Sequence, residues 1–138
     1  MIRRDAKDAA FSDLVRMRAK WRCEVCGLQP DRQRLHCSHF FGRANRATRW
    51  HPENACAKCF KCHERFGRDH IWAASLIIDR LGEDRASEIQ ELAGTVAKFS
   101  KPDLKQIQLD LKAALKAERI DDFCPGPVRE HEKQVLGR

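Results

Sequence analysis

The sequence lacks any apolar run of the roughly 18 residues needed to cross a bilayer. Its N-terminus, MIRRDAKDAAF, interrupts its apolar residues with acids, unlike a secretory signal peptide. We therefore predict a cytoplasmic protein with no membrane partner. Long disordered stretches are also absent, and 138 residues with 42% hydrophobic content predict one soluble domain with a modest core.

The seven cysteines cannot all pair within one chain, because their number is odd. In an intracellular protein, cysteines are more often metal ligands or free thiols than disulfides. Two CxxC pairs each supply two thiolates from one turn, and such pairs predict a tetrahedral structural zinc site. Its four predicted ligands are Cys23, Cys26, Cys59 and Cys62.

The second pair is ambiguous, because Cys56, Cys59 and Cys62 are each three residues apart. Cys56 and Cys59 could also form the pair. We favour Cys59 and Cys62, since this choice leaves His63 next in line at a second metal. Cys56 would then be a small buried residue, as free cysteines usually are.

The charge is concentrated in the first half of the chain. Residues 1–70 contain sixteen Lys and Arg against eight Asp and Glu, whereas residues 71–138 contain eleven against twelve. The halves therefore carry +8 and −1 of the net +7. A positive field that coincides with the cysteine and histidine cluster suits a polyanionic partner, although a basic solvated face is the simpler alternative.

Periodicity predicts mostly helices around one short strand. An amphipathic helix is expected over 5–21, and the strand over Leu35–Phe41. Gly27, after the first cysteine pair, suits a turn that aims amides at the sulfurs. His51 to Asn54 resembles a turn that enters a helix, and Gly67 would end that helix.

The second half is predicted to be helical. Helices are expected over 70–81 and 84–93, and a third begins near Ser100. In the third, an apolar stripe is expected to pack against other helices or a partner chain. The segment after Asp121 is rich in helix breakers and is predicted to be a peripheral tail. The stripe consists of Leu104, Ile107, Leu111 and Leu115.

His39 and Asn54 lie between the cysteine pairs and His63 directly follows the second pair, and this order is that of a nuclease site. Phosphodiester hydrolysis needs a base to activate water, a divalent cation to neutralise charge, and a group that orients the base. His39 suits the base, because its ordinary pKa is near neutrality. His63 suits the cation, and Asn54 suits orientation of the loop and of His39. The alternative is that each residue is structural, as a lone histidine usually is.

Basic residues near this site predict contacts with DNA phosphates. Three arginines, Arg43, Arg46 and Arg49, are spaced by three in the loop from Gly42 to Glu53, so their guanidinium groups could point the same way. A second DNA path could run along the finger helix. It would use Lys58, Lys61 and Arg65.

Over roughly residues 15–118, the chain resembles the HNH, or ββα-metal, endonucleases, and within them the phage NinG (Rap) recombination nucleases. The shared motif is Cys23-x-x-Cys26, His39 before an aromatic residue, and Asn54-x4-Cys59-x-x-Cys62-His63. The runs SLIIDRLGEDRASEIQEL and DLKQIQLDLKAALK also resemble the helical part of that family. The resemblance implies a phage or prophage nuclease that cuts branched intermediates, such as Holliday junctions or D-loops, alongside recombination proteins.

The chain departs from the family at the strand-side metal ligand. HNH sites commonly place Asp or His directly before the base, whereas Ser38 stands there. NinG-like proteins tend to have an acid three residues before the base, and that position is His36. Cys37 is the alternative, on the same face as His39 in a flat strand, although a soft thiolate favours zinc over magnesium. We favour His36.

Together these observations predict an α+β protein, a zinc-stapled ββα-metal finger with an N-terminal helix and a C-terminal helical layer. The expected divisions are 1–22, 23–69, 70–120 and a tail over 121–138. We expect hydrolysis of DNA with Mg²⁺ or Mn²⁺, and a homodimer would suit symmetric junctions. The alternatives are an HNH nuclease without structure preference, a non-catalytic zinc-finger module that binds DNA, and a helical adaptor.

Overall fold

The computed structural model describes residues 2–137 and shows an α+β chain dominated by helices. The two strands form one antiparallel sheet. The strands are β1 (His36–His39) and β2 (Ala55–Lys58). The helices are α1 (Ala6–Arg18), α2 (Arg46–Arg49), α3 (Phe60–Arg68), α4 (His70–Leu81), α5 (Glu83–Ala93), α6 (Lys101–Lys116) and α7 (Gly126–Leu136).

The main core lies between α1, the sheet and α6. Phe11, Leu14 and Val15 of α1 are buried in one cluster with Ile107 and Leu111 of α6. The predicted stripe on α6 is therefore packed inside this chain, with its two central residues fully buried. The alternative of a helical adaptor required this stripe as a binding surface, and the stripe is already covered by the rest of the chain.

The N-terminal helix is shorter than the predicted 5–21. Asp5 caps its first turn in a capping box with Asp8. After Ala19 the chain leaves the helix through Lys20 and Trp21, which both adopt left-handed backbone angles (φ of 54° and 59°). This turn leads the chain out of the helix and into the first cysteine pair at Cys23.

The segment from Cys23 to Arg68 follows the predicted order of elements, with two local differences. The residues after Asn54 form strand β2 rather than entering a helix directly. Gly67 does not end α3, which continues to Arg68. The helix stops at Asp69, whose carboxylate accepts a hydrogen bond from the Trp72 amide (3.1 Å) and so begins α4. The prediction for Gly67 is wrong because the new cap lies two residues further on.

Helices α4 to α6 begin and end close to the predicted positions. Gly82 ends α4 with φ of 83°, a conformation that glycine tolerates best. Ser100 caps α6, and Asp103 completes a capping box. Within the described residues, no helix has the length and apolar character needed to span a membrane.

The prediction of a peripheral tail is wrong. Phe123 and Val128 are buried in the main core, and Glu132 of α7 accepts a hydrogen bond from Arg85 at 2.7 Å and contacts His51 Nε2 at 3.0 Å. The breakers Pro125 and Gly126 start α7 rather than loosening the chain, since proline suits a helix N-terminus.

One buried ion pair ties α1 to α2. Arg49 donates to both carboxylate oxygens of Asp8 (3.0 and 2.6 Å), and Trp50 Nε1 donates to Asp8 at 3.1 Å. Burial alone would raise the pKa of Asp8, but the hydrogen bonds and charge of Arg49 outweigh it and hold that pKa below its usual value. The carboxylate thus stays charged at neutral pH.

Replacing Asp8 by Asn should lower the free energy of unfolding by about 3 kcal/mol, because the Arg49 guanidinium would be left buried without its counter-ion. The pKa of Asp8 is depressed in the folded state. Its contribution is therefore complete above the ordinary Asp pKa of about 4 and is lost as pH falls through the lower folded value. Urea unfolding between pH 7 and pH 2.5 measures both effects.

Asp13→Asn is the matched control on the same helix. Asp13 pairs with Arg16 at 3.4 Å, and its side chain is half exposed. Asp13→Asn should therefore lower the free energy of unfolding by less than about 1 kcal/mol. An equal decrease in the free energy of unfolding in the two variants would contradict the role of Asp8 as the buried counter-ion of Arg49.

Candidate active site

The four predicted zinc ligands lie together. The sulfurs of Cys23, Cys26, Cys59 and Cys62 all fall within 4.8 Å of one another. Cys26 Sγ and Cys59 Sγ are 3.7 Å apart, which matches the edge of about 3.8 Å in a tetrahedron with metal–sulfur bonds of about 2.3 Å. The cluster could therefore bind zinc.

The first cysteine pair is held by a tight turn beside β2. Cys23 donates its amide to the Leu28 carbonyl (2.8 Å), and Gly27 has φ of +78°, as its predicted role requires. Glu24 extends the sheet: its amide donates to the Ala57 carbonyl (2.9 Å), and its carboxylate accepts from the Ala57 amide (2.7 Å). These hydrogen bonds hold the first cysteine pair against strand β2, which leads to the second cysteine pair.

The four cysteines have different environments without a metal. Burial would raise the pKa of Cys23, but hydrogen bonds from the Cys26 and Cys59 amides outweigh it and lower that pKa to about 7. Burial and the neighbouring thiols raise the pKa of Cys62. A cation among the sulfurs would let all four carry charge. Cys56 is buried and lies outside the cluster, so the ambiguity is resolved in favour of Cys59 and Cys62.

A polar cavity of about 360 Å³ lies beside the cysteine cluster, between α1, β1 and α3. It brings together the three histidines singled out in the sequence. Cys37, the alternative strand-side ligand, also lines it. The full lining is Arg4, Asp8, Ser12, Arg16, His36, Cys37, His39, Gly42, Arg43 and His63.

His36 and His63 form a pair across the sheet and the helix. Their rings stack nearly parallel, with centroids 4.8 Å apart and an interplanar angle of 13°. Nδ1 of His63 lies 3.0 Å from the Ser38 hydroxyl, and Lys58 donates to the same hydroxyl at 2.9 Å. Ser38 thus holds one ring nitrogen of His63 and leaves Nε2 for a ligand. Burial and the charges of His36 and Lys58 lower the pKa of His63.

Cys37 has the weaker chemistry for this site. Burial raises the pKa of its thiol to about 11, so at neutral pH the sulfur is protonated. A soft sulfur ligand also favours zinc over magnesium, whereas imidazole suits a wider range of divalent metals.

The orientation of the His39 ring is fixed by a contact with the Arg49 carbonyl and by packing on Phe11. Its Nε2 lies 3.0 Å from the Arg49 carbonyl, and its ring stacks on Phe11 with centroids 5.6 Å apart. A carbonyl oxygen only accepts hydrogen bonds, so this contact places the proton on Nε2. In the neutral ring, Nδ1 then keeps a free lone pair. Burial lowers the pKa of His39 despite the carbonyl contact, which favours this neutral form.

Asn54 organises the loop, as predicted, and does so through the backbone. It is fully buried. Its amide nitrogen donates to the Phe41 and Thr48 carbonyls (2.9 and 3.0 Å), and its oxygen accepts from the Phe41 amide (2.9 Å). The predicted orientation of His39 comes instead from Arg49, which lies in the segment that Asn54 anchors.

The three loop arginines do not point the same way. Arg43 lines the cavity and donates to the Ile2 carbonyl (3.0 Å), while one of its nitrogens is buried without a hydrogen-bond partner. Arg46 is exposed. Arg49 is buried against Asp8, so its prediction as a DNA contact is wrong. The reason is tertiary: the Arg49 side of α2 packs on Asp8 of α1, whereas Arg43 precedes this short helix.

The three residues of the second predicted DNA path differ in their exposure to solvent. Lys58 is fully buried, with its ammonium 4.1 Å from the Phe66 ring centroid. Burial lowers the pKa of Lys58. Lys58 is therefore a structural residue, and the prediction that it contacts DNA is wrong. Lys61 and Arg65 are exposed on α3, and Arg65 stacks on Trp72 at 4.2 Å.

Two arginines in the cavity, Arg4 and Arg16, were not anticipated from the sequence. Arg4 donates to Ser12 at 3.2 Å, and Arg16 donates through Nε to the Leu35 carbonyl at 2.8 Å. The sequence does contain a pattern that indicates them. A polar residue recurs every four positions and so lies on one side of the N-terminal segment, at Arg4, Asp8, Ser12 and Arg16.

No protein-family model, curated protein or solved structure matches this chain.

The His39 contact makes a prediction about tautomers. In metal-free protein, two-dimensional ¹⁵N NMR of the imidazole nitrogens should show His39 as the Nε2–H form, with a pKa below its ordinary value of about 6.5. His70, which is exposed on α4, is the internal reference. A dominant Nδ1–H form, or a raised pKa, would contradict the geometry.

Proposed function

We propose that this chain is a metal-dependent DNA endonuclease of the HNH type, with a structural zinc ion at the cysteine cluster. The observation that carries the proposal is the cavity in which His36, His39 and His63 converge. A base with its lone pair free and a pair of imidazoles beside it are the parts that phosphodiester hydrolysis needs. A binding module would have no use for this arrangement.

His39 would act as the general base. Its Nδ1 takes a proton from water, the water oxygen bonds to phosphorus, and a P–O bond to one sugar breaks. The leaving sugar oxygen takes up a proton from solvent, and His39 afterwards returns its proton to solvent. The products are a phosphate monoester and a free hydroxyl. The Arg49 carbonyl keeps the Nε2 proton in place throughout, so the ring is oriented and its reactive nitrogen is fixed.

His36 and His63 would hold the divalent ion. When bound, such an ion neutralises charge on the scissile phosphate and the leaving oxygen. Imidazole nitrogens favour later first-row metals, whereas Mg²⁺ prefers oxygen. The carboxylate that lines the cavity, Asp8, is already paired with Arg49. The donor set therefore fits a transition ion better than Mg²⁺, and the use of Mg²⁺ or Mn²⁺ stays a prediction.

The scissile phosphate would be bound by the cavity arginines. Arg4, Arg16 and Arg43 line the cavity, and one nitrogen of Arg43 lies 3.9 Å from the Asp8 carboxylate. Guanidinium groups bind phosphate oxygens through charge-assisted hydrogen bonds. The exposed Arg46, Lys61 and Arg65 would contact the flanking backbone and add a salt-dependent contribution to the affinity.

The preference for branched DNA is supported only by the resemblance to the NinG nucleases, and so is any link to recombination proteins. A general HNH nuclease would use the same cavity. Comparing cleavage of a four-way junction with cleavage of its matched linear duplex separates the two.

Removing one sulfur should remove the zinc. Cys26→Ser should lower bound zinc from one ion per chain to a small fraction and prevent normal folding, since structural zinc sites contribute on the order of 10 kcal/mol. Elemental analysis and thermal unfolding measure both. Cys56→Ala is the control: it is buried but outside the cluster, so zinc content should be unchanged. Zinc-free wild-type protein would contradict the assignment.

The two histidine roles should separate in kinetics. His39→Ala should slow cleavage of labelled four-way junction DNA by about 10²-fold or more, at every metal concentration and with DNA binding retained. His63→Ala should instead raise the metal concentration needed for half-maximal rate, with partial rescue at high metal. Mn²⁺, Co²⁺ and Ni²⁺ should support cleavage at lower concentration than Mg²⁺.

His70→Ala, on the exposed side of α4, is the matched control and should cleave like the wild type. Reactions with EDTA give the metal-free baseline. Wild-type cleavage rates in His39→Ala would overturn the nuclease proposal in favour of a zinc-finger module that binds DNA.

A further inference from the structure

Helix α4 is apolar in sequence but poorly buried. Its sequence is HIWAASLIIDRL, and of these residues only Ala73 is buried. Ile71 is 84% exposed, and Ile78 is 42% exposed. A fully exposed isoleucine on an ordered helix leaves apolar area in water, at a cost of about 25 cal/mol per Å².

The exposed residues form one continuous stripe. Ile71, Ala74, Ser75 and Ile78 are all exposed, and their spacing of three, one and three places them on one side of α4. Small side chains occupy the middle of the stripe and isoleucines occupy its ends. A second helix could therefore approach closely at the centre while isoleucines pack on either side.

An open groove adjoins the stripe. It has a volume of about 670 Å³ and lies between α4, α5 and the end of β1. Its lining is mainly apolar, with Phe40 and Phe66 at the sheet side. Ala74 and Ile78 belong to both the groove and the stripe, so the two form one surface.

The charges at the two ends of α4 have opposite sign. Arg68 is exposed just before the helix, whereas Glu83 and Asp84 are exposed just after it. Asp79 is also exposed near the acidic end, while Arg80 pairs with Glu24 at 2.8 Å and Asp69 caps α4. The surface is therefore basic at one end and acidic at the other.

We infer that α4 is the two-fold interface of a homodimer, with the α4 helices of two copies packed antiparallel. A two-fold axis through the middle of α4 sets Ile71 of one copy within a turn of Ile78 of the other. It also sets the basic end of each helix at the acidic end of its partner. A surface that complements itself in both shape and charge fits a second copy of this chain better than an unrelated partner.

This inference does not depend on the nuclease proposal, because α4 supplies none of the cavity lining. The test therefore needs no DNA. Light scattering after size exclusion, and sedimentation velocity, should show wild-type dimer at about 100 µM that dissociates on dilution, as expected for a short helix pair. Wild-type protein that stays monomeric at this concentration would overturn the inference.

Ile71→Glu should weaken self-association at least tenfold without loss of folding, since the side chain is exposed. Val96→Glu is the matched control, because Val96 is 80% exposed and lies on the segment between α5 and α6. A dimer that survives Ile71→Glu, or is equally weakened by Val96→Glu, would place the interface elsewhere.

A charge exchange tests the antiparallel arrangement. Arg68→Glu and Glu83→Arg should each weaken the dimer several-fold, because each sets like charges together. The double variant carries both changes in both copies, so opposite charges meet again and association should recover. Additive weakening in the double variant would contradict antiparallel packing, and circular dichroism on each variant verifies folding.

Discussion

The buried pair of Asp8 and Arg49 is the constraint on which the candidate site depends. Asp8 joins the first turn of α1 to the α2 turn, and it also binds the indole of Trp50. Arg49 in turn presents its carbonyl to His39. One carboxylate thereby sets the helix, the loop and the tautomer of the proposed base. Because a buried charge without its partner is costly, the three features are expected to form together.

The finger helix α3 serves two centres because successive residues on a helix point about 100° apart. Cys62 faces the sulfur cluster, whereas His63 faces the polar cavity. Ser38 on β1 fixes the second direction through Nδ1 of His63. The zinc proposed at the sulfurs would therefore position a residue of the proposed catalytic cavity without taking part in the reaction.

The sequence predicted the helices and the cysteine cluster well, because these depend on local spacing and capping. Ser100 and the apolar stripe of α6 are examples, as is the choice of Cys59 and Cys62 over Cys56. Burial of charged side chains could not be predicted. Arg49 and Lys58 have the character of phosphate ligands in the sequence, and only tertiary contacts with Asp8, Ser38 and Phe66 show them to be internal.

That distinction changes how the positive charge of the first half is interpreted. Several of its cations are occupied inside the chain, including Arg18, which donates to the Pro52 and Ala55 carbonyls at 2.9 and 2.7 Å. A cation that is buried and paired contributes little to the attraction of a polyanion. The cations that line the cavity come from the N-terminal segment and the loop, at Arg4, Arg16 and Arg43. Arg16 and Arg43 also have acidic neighbours at 3.4 and 3.9 Å, in Asp13 and Asp8. A phosphate in the cavity would thus meet guanidinium groups from both the N-terminal segment and the loop.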